Sequence, residues 1–338
     1  MGDFLSTPNK TKNSEDKENS KIRYGACGMQ GWRKHMEDAH ITEISKGSKG
    51  DIEVFGVFDG HGGKEVAQFV KAHFMNEFIN TKSFKNGDIK KALSDTFLKM
   101  DELMLSKEGK EELTSLANES KKENDEQNQQ QSNTQHDFLM KLLSRPRDTS
   151  TNIAMLTGCT ACVCVIDETN KKMYFANSGD SRAVLCKKGF ACAMSTDHKP
   201  ELETEKSRIM KADGWISEGR IKGNLNLSRS LGDLEYKQNT QLSPEEQMIT
   251  AFPDITEENI TEECDFIIIG CDGIWDCLSN QEACEYVKTE MKKNISPVIK
   301  LSGIVESMMD SIIATDLYNK TGVGCVNMTC IIIQFKKH

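Results

Sequence analysis

The chain has 338 residues, of which 28% are charged and 37% hydrophobic, a composition that suits a soluble globular protein with some polar, weakly structured sequence. Its net charge of −9 argues against a nucleic-acid binder, which needs a basic face. No apolar run is long enough to span a bilayer, and the N-terminus lacks the apolar core of a secretion signal. The 12 cysteines lie largely inside apolar runs, which favours buried thiols in a reducing compartment over disulfides.

The N-terminal residues 1–20 are polar, and we expect them to form a flexible tail. The tail begins "MGDFLS", which matches the N-myristoylation signal Met-Gly-x-x-x-Ser with Gly2 as the acceptor and Ser6 in place. The alternative is an unmodified tail. No polybasic cluster follows Gly2, and one myristoyl chain gives only marginal membrane binding. The sequence therefore predicts a cytoplasmic protein, with at most a nuclear or membrane-associated fraction.

The compact region is expected to run from Lys21 to the C-terminus at residue 338. Apolar residues at helical spacing predict a helix over 62–79, and Asp88 is placed to cap a second one. Residues 107–150 contain few apolar side chains, and we expect a polar, disordered insertion there. Within it, "FLMKLL" at 138–143 is a candidate short helix or docking segment.

Strands dominate the chain beyond the insertion, and helices come in adjacent pairs. This order favours an α+β protein of antiparallel sheets packed with helices over a doubly wound parallel sheet. The predicted strands are 159–166, 172–176, 182–186 and 329–335, and the predicted helices are 203–212, 280–292 and 297–310.

Two apolar runs each end in Asp-Gly. They are "VFGVFDGHGG" at 54–63, which contains Asp59, and "FIIIGCDGIWD" at 266–276, which contains Asp272. Either alone is compatible with a hairpin turn. Two buried strands, however, can bring both acids to one place, where a carboxylate is costly unless it is paired or binds a metal. Since Mg²⁺ and Mn²⁺ take oxygen ligands, the pair predicts a divalent-cation site.

Seven motifs together carry a resemblance to a known family. In chain order they are "YGACGMQGWRKHMEDAH" (24–40), "VFDGHGG" (57–63), "NSGDSRAVL" (177–185), "TDHKP" (196–200), "SRSLGD" (228–233), "FIIIGCDGIWD" (266–276) and "NMT" (327–329). The set resembles the type 2C metal-dependent serine/threonine protein phosphatases, over residues 21–335 outside the polar insertion. The resemblance implies two antiparallel β-sheets packed as a sandwich, flanked by α-helices, with the active site at one end.

The resemblance implies a hydrolase for phosphoserine and phosphothreonine in proteins, with two Mg²⁺ or Mn²⁺ ions per site. Asp59 would bridge both ions, and the Gly60 carbonyl and Glu37 would serve one of them. Asp272 would hold the other ion, and Asp180 with Asp272 would hold a third, weaker one. The implied partners are phosphorylated proteins, and a monomer is expected.

The resemblance also assigns roles to side chains near the ions. Arg33 matches a phosphate clamp, for which the planar donors of a guanidinium are suited. His61 matches the general acid that protonates the departing alkoxide. Asp38 would support the site by hydrogen bonding. Three further matching positions are interpreted as structural, ordering loops through turns and ion pairs: Asp197, His198 and Arg229.

One position departs from the family pattern. Val326 stands where the family has a metal-ligating Asp before Asn-Met-Thr, and an isopropyl group cannot coordinate a cation. Asp276, four residues after Asp272, could compensate in part. The alternative to an active enzyme is therefore a pseudophosphatase that binds phosphoproteins without turnover. A metal phosphohydrolase for small molecules is a third, less favoured interpretation.

Overall fold

The computed structural model describes residues 4–47, 50–131, 152–293, 300–317 and 322–336. Within these residues, two large antiparallel β-sheets pack face to face. The first sheet contains, in spatial order, β1 (Phe4–Glu18), β2 (Ile22–Arg33), β16 (Met328–Phe335), β15 (Cys264–Gly270), β9 (Arg182–Lys187) and β10 (Phe190–Ala193). The second contains β14 (Asp254–Asn259), β8 (Lys172–Ser178), β7 (Ala161–Asp167), β4 (Gly50–Phe58) and β3 (Ala39–Gly47).

Smaller sheets and helices complete the described part of the chain. β5 (Gly60–His61), β6 (Gly158–Cys159) and β13 (Leu231–Gly232) form one small sheet, and β11 (Ile216–Ser217) pairs with β12 (Arg220–Ile221). The helices are α1 (Glu65–Asn80), α2 (Lys82–Lys85), α3 (Ile89–Leu105), α4 (Lys107–Gln131), α5 (Glu203–Lys211), α6 (Asp272–Trp275), α7 (Asn280–Lys293) and α8 (Leu301–Ile312).

The continuous apolar runs in the sequence are strands that are buried on both faces. In β15, Ile267 and Ile269 point into the interface between the sheets, whereas Ile268 packs against helices on the outer face. In β4, Phe55 faces that interface and Phe58 packs against the helices on its own outer side. Helices α1, α3 and α4 cover the second sheet, and α7 and α8 cover the first. This four-layer arrangement confirms the predicted α+β sandwich.

The periodic segments form the predicted helices. α1 covers the segment predicted at 62–79, and the Asp88 side chain caps α3 by accepting a hydrogen bond from Lys91 N at 3.0 Å. The segments predicted at 203–212, 280–292 and 297–310 correspond to α5, α7 and α8. Among the described helices, none combines the length and the apolar character needed to cross a membrane.

The cysteines are free thiols, as expected. All 12 are unpaired, and most are buried. Cys162 and Cys164 lie together in the interface between the sheets, whereas Cys159 packs in the helical layer on the other side. Strand alternation predicts this separation.

The prediction of a flexible tail over 1–20 is wrong for the residues that the structure describes. The chain from Phe4 onward forms β1, the edge strand of the first sheet, antiparallel to β2. The folded region therefore begins at Phe4 rather than at Lys21. Gly2, the predicted lipid acceptor, lies outside the described residues.

The polar side chains of β1 have partners, which is why a strand of this composition can form. Lys12 pairs with Asp310 of α8 at 2.7 Å, and Asp16 Oδ1 accepts a hydrogen bond from Ser302 N of the same helix at 2.9 Å. Pairing at a sheet edge satisfies the backbone without apolar side chains. Composition alone therefore misled the prediction.

The predicted disordered insertion at 107–150 is wrong over its first half, because α4 continues to Gln131. Leu113 and Ala117, four residues apart, lie on one face of α4 and are buried in the helical layer. These few apolar residues suffice because they pack against α1 and α3. Residues 132–151, including the candidate segment 138–143, lie outside the described residues.

Candidate active site

Two strands from different sheets deliver carboxylates to one end of the sandwich. Asp59 follows β4 of the second sheet, and Asp272 begins α6 directly after β15 of the first. They line a common cavity of about 800 Å³. Its walls bring together most of the residues singled out in the sequence: Arg33, Glu37, Asp59, Gly60, His61, Asp180, Asp272 and Val326.

Thr160 fixes the backbone at Asp59. Asp59 N donates to Thr160 Oγ1 at 3.2 Å, and Thr160 N donates to Asp59 O at 2.9 Å. Thr160 Oγ1 also contacts Ser181 Oγ at 2.7 Å, beside Asp180. Thr160 was not predicted, because its position just before β7 carries no chemical signal of its own.

Gly60 must be glycine because the chain passes very close to it. A Cβ at residue 60 would lie 2.2 Å from Glu37 O, far inside contact distance. The backbone of Gly60 therefore lies directly against that of Glu37. The two predicted ligands of one ion are thus brought together.

Asn327 holds the Glu37 loop against β16. Its Oδ1 accepts a hydrogen bond from Glu37 N at 2.9 Å, and its Nδ2 donates to Gln30 O at 2.8 Å and to His35 O at 3.0 Å. Asn327 belongs to the "NMT" motif, but no role was predicted for it from the sequence. Val326, its neighbour, lines the cavity together with Asp272.

The clustered acids are buried close to one another, which disfavours their ionised forms. Burial, with the charge of Asp272 adding to it, raises the pKa of Asp38 to about 7. Burial, followed by the charges of Asp38 and Asp180, raises the pKa of Asp59 well above its usual range. Burial and then Asp59 do the same for the pKa of Asp272. A bound cation would compensate the negative charge of these carboxylates and so favour their ionised forms.

The donor set fits a hard divalent cation. Asp38 Oδ2 accepts from Thr329 Oγ1 at 2.7 Å, whereas its Oδ1 is buried without a hydrogen-bond partner among the described residues. Ligand atoms of Asp38, Asp59 and Cys271 lie within 4.8 Å of one another. Burial and the nearby acids, however, raise the pKa of Cys271, so it stays a thiol, and its Sγ already accepts from Thr329 N at 3.1 Å. Of these three groups, the carboxylates of Asp38 and Asp59 are the ones suited to a hard cation.

Asp180 and Asp276 differ in their access to the cavity. Asp180 lines it and forms an ion pair with Lys199. Asp276 lies at the surface outside the cavity lining, where partial shielding from water and then the charge of Asp180 raise its pKa. The charge of Asp276 contributes to the raised pKa of Asp272, and its partial compensation for Val326 stays a prediction.

Arg33 ends β2 at the cavity. Its Nε is buried and has no hydrogen-bond partner among the described residues. The ring of Phe4 lies over its guanidinium, with 5.8 Å between Cζ and the ring centroid. A buried donor without a partner beside a cavity is what an oxyanion ligand would satisfy.

His61 is paired with an acid that the sequence analysis did not single out. Its Nε2 lies 2.7 Å from Asp233 Oδ2, and Ser230 Oγ donates to the same oxygen at 2.5 Å. Burial alone would lower the pKa of His61, but Asp233 outweighs it and raises that pKa, with smaller contributions from Asp180 and Glu37. Asp233 ends the quoted motif "SRSLGD", which was its only signal.

The residues interpreted as structural do order loops, as predicted. Asp197 accepts two hydrogen bonds from Arg182, at 2.9 and 2.7 Å. His198 is buried, accepts from Gly179 N at 3.2 Å through Nδ1, and contacts Asp254. In the same cluster, Arg229 pairs with Glu205 and Asp254.

Comparisons with known proteins agree with this geometry. The family model described as "Protein phosphatase 2C" matches residues 22–117 and 106–320. A probable protein phosphatase 2C of Arabidopsis thaliana is 42% identical over 350 residues, covering 100% of this chain and 93% of that protein. A probable protein phosphatase 2C of Paramecium tetraurelia is 42% identical over 341 residues, covering 100% of both chains.

Among solved structures, a phosphatase from a pathogenic strain of Toxoplasma gondii is similar in fold. It has a TM-score of 0.68 and 20% identity, with 97% of this chain and 98% of that chain covered. The likeness supports the sandwich architecture. The family model and the relatives at about 42% identity show the family. The chain belongs to the protein phosphatase 2C family of metal-dependent serine/threonine protein phosphatases.

Proposed function

We propose that this chain hydrolyses phosphoserine and phosphothreonine in proteins with the help of two divalent cations. The observation that carries the proposal is the convergence of Asp59 and Asp272, from two different sheets, on the cavity that also holds Arg33. Mg²⁺ or Mn²⁺, when bound, supplies a water of lowered pKa and positive charge next to the phosphoryl oxygens.

The residues that would hold the ions follow from the site. Asp59, the Gly60 carbonyl and Glu37 would serve one ion, and Asp59 and Asp272 the other. A third ion at Asp180 would have to compete with the Lys199 ammonium that already pairs with this carboxylate. We therefore propose that a third ion binds weakly.

The protein's own side chains would supply binding and proton transfer. The Arg33 guanidinium would bind two phosphoryl oxygens and give its buried Nε a partner. His61 would donate a proton to the seryl or threonyl oxygen as the bond to phosphorus breaks. Without that proton the leaving group would be an alkoxide, which is a poor one at neutral pH.

Val326 supports a second candidate, a pseudophosphatase that binds phosphoproteins and releases them unchanged. Val326 lines the same cavity as Asp272 and has an isopropyl group instead of a carboxylate. Retention of Arg33, Asp59 and His61 in the same cavity favours the enzyme. The two candidates predict the same binding and differ in turnover.

The discriminating assay is hydrolysis of a phosphothreonine peptide with Mn²⁺, with Mg²⁺, and with excess chelator. The enzyme should release phosphate with either ion and lose this activity in chelator. Binding of the peptide without phosphate release at any metal concentration would select the pseudophosphatase. Full activity in chelator would contradict both.

The remaining expectations concern partners and place in the cell. We propose phosphorylated proteins as substrates, a monomer, and a cytoplasmic location with a minor nuclear or membrane-associated fraction. Gly2 is the proposed acceptor for a myristoyl group. Mass spectrometry of the mature N-terminus would detect the acyl group directly.

A further inference from the structure

Asp233 is the buried acid that contacts the imidazole of His61. It is 4% exposed, and its Oδ2 lies 2.7 Å from His61 Nε2. The same oxygen accepts a second hydrogen bond from Ser230 Oγ at 2.5 Å. The Ser230 hydroxyl thus fixes the Asp233 carboxylate, which can still accept a hydrogen bond from the His61 ring.

The local backbone is arranged to make this contact. Asp233 has φ 48° and ψ 38°, a left-handed conformation that is uncommon for a residue with a side chain. Its N donates to Thr157 O at 2.9 Å, and the preceding Gly232 N donates to Asp101 Oδ1 at 2.9 Å. These bonds hold the turn that aims the carboxylate at His61.

Gly158 leaves the space that the contact needs. A Cβ at residue 158 would lie 2.3 Å from Asp233 Oδ2 and 2.8 Å from His61 Nε2. Since β6 pairs with β5 on one side and β13 on the other, Gly158 lies between the two partners. A larger residue at 158 would displace either side chain.

We propose that Asp233 is a positioning residue for the proton transfer by His61. With Nε2–H held by Asp233 Oδ2, the ring has one other nitrogen, Nδ1, from which to donate. The inference rests on the proposed function, since it assumes that His61 acts as the acid. It adds which ring nitrogen donates and what fixes the ring.

The proton balance is consistent with this arrangement. The proton leaves Nδ1 of the imidazolium for the seryl or threonyl oxygen as the P–O bond breaks, and a neutral hydroxyl results. The ring that remains is neutral and carries its proton on Nε2. This tautomer can donate a hydrogen bond to Asp233 Oδ2. The contact therefore persists through the transfer.

The first test compares two substrates. Asp233→Ala should lower kcat on a phosphothreonine peptide by about tenfold to a hundredfold, with little change in KM. It should lower kcat on p-nitrophenyl phosphate much less, because that leaving group needs little protonation. In a His61→Ala background, Asp233→Ala should cost nothing further on the peptide. Equal losses on both substrates, or a full additional loss in the double variant, would overturn the proposal.

A matched control uses a second pair of the same kind. His73 Nε2 lies 2.8 Å from Glu112, and neither residue lines the cavity. Glu112→Gln should leave both kcat values unchanged. If Asp233→Ala proves unfolded by circular dichroism, Asp233→Asn keeps the side-chain volume, and the same leaving-group split is expected with a smaller amplitude.

A spectroscopic readout separates this inference from the proposed function. ¹⁵N NMR of the His61 ring in Mg²⁺ buffer should show the neutral ring as the Nε2–H tautomer in the wild type and a mixture of tautomers in Asp233→Ala. If the wild type is inactive but gives this NMR result, the proposed function is wrong, whereas Asp233 still fixes the His61 ring. An unchanged tautomer balance would overturn the positioning role even in an active enzyme.

Discussion

Val326 is the residue at which this chain departs most from what its family leads one to expect. It lines the cavity with Asp272, and we expect a carboxylate at this position to reach the proposed metal site. Relative to the Asp expected from the family resemblance, the isopropyl group would take one ligand and one negative charge from the proposed site, and water would fill that coordination position. The site should therefore bind its ions more weakly, and Mn²⁺ better than Mg²⁺.

We expect Val326→Asp to raise activity at low Mn²⁺ and to shift the metal titration to lower concentration, by about tenfold for one added charged ligand. The measurement is the rate on a phosphothreonine peptide against Mn²⁺ concentration. Val323→Asp, which adds the same charge at an exposed position three residues earlier, is the matched control. An unchanged titration in a fully active wild type would show that residue 326 does not face the metal.

The residues that sequence reasoning found and missed differ in one physical respect. Asp59 and Asp272 were found because each follows an apolar strand, a signal that is local in the chain. Asp233 acts on His61 from 172 positions away, and Asn327 acts on Glu37 from 290 positions away. Such contacts are set by the pairing of sheets and loops, which one sequence does not reveal.

At the scale of elements, β1 connects the N-terminus to the active site. Its first described residue, Phe4, lies opposite Arg33 in the register between β1 and β2. The ring covers the guanidinium, with 5.8 Å between Cζ and the ring centroid, which limits the orientations that the Arg33 side chain can adopt. An edge strand that a compositional argument would discard therefore helps to place a residue of the cavity.

Phe4→Ala should raise KM for a phosphopeptide about twofold to fivefold, since a cation–π contact of this kind is worth ~0.5–1 kcal/mol. The effect should be in the same direction as that of Arg33→Ala and smaller, with kcat nearly unchanged. Phe190→Ala removes an equally large but exposed ring and should leave KM as it is. An unaltered KM in Phe4→Ala would mean that β1 does not position Arg33.

Helices and strands were predictable from the sequence where the pattern of apolar and polar side chains determines them. The periodic runs that became α1 and α3 bury their apolar faces, and β15 is apolar throughout because both its faces are buried. β1 and α4 were missed because backbone pairing and a few buried side chains suffice once a folded neighbour is present. Their stability comes from that neighbour.

At the scale of the whole molecule, buried ion pairs tie the segment after β10 to the sandwich. Glu205 of α5 is 1% exposed and pairs with Arg208 at 2.8 Å and with Arg229 at 2.7 Å. Arg229 in turn pairs with Asp254 at the start of β14. Loss of the Glu205 charge would leave Arg208 without this ion pair and Arg229 paired with Asp254 alone.

The same cluster predicts how stability depends on pH. Burial alone would raise the pKa of Glu205, but Arg229 and Arg208 hold it at about 2, below the ordinary 4.5. Because folding lowers this pKa, the ionised Glu205 carboxylate contributes its full stabilisation above pH 4.5. The contribution is lost as the pH falls toward 2. The difference between these two pKa values corresponds to roughly 3 kcal/mol of unfolding free energy at neutral pH.

We therefore expect Glu205→Gln to lower the free energy of unfolding by roughly 3 kcal/mol at pH 7. The gap to the wild type should shrink as the pH falls from 4.5 toward 2, because protonated Glu205 then resembles the amide. Urea unfolding of the metal-free protein across this range measures the gap, and the exposed Glu203→Gln on the same helix is the control. A gap that stays constant with pH would show that Glu205 stabilises the protein by packing and hydrogen bonding rather than through its charge.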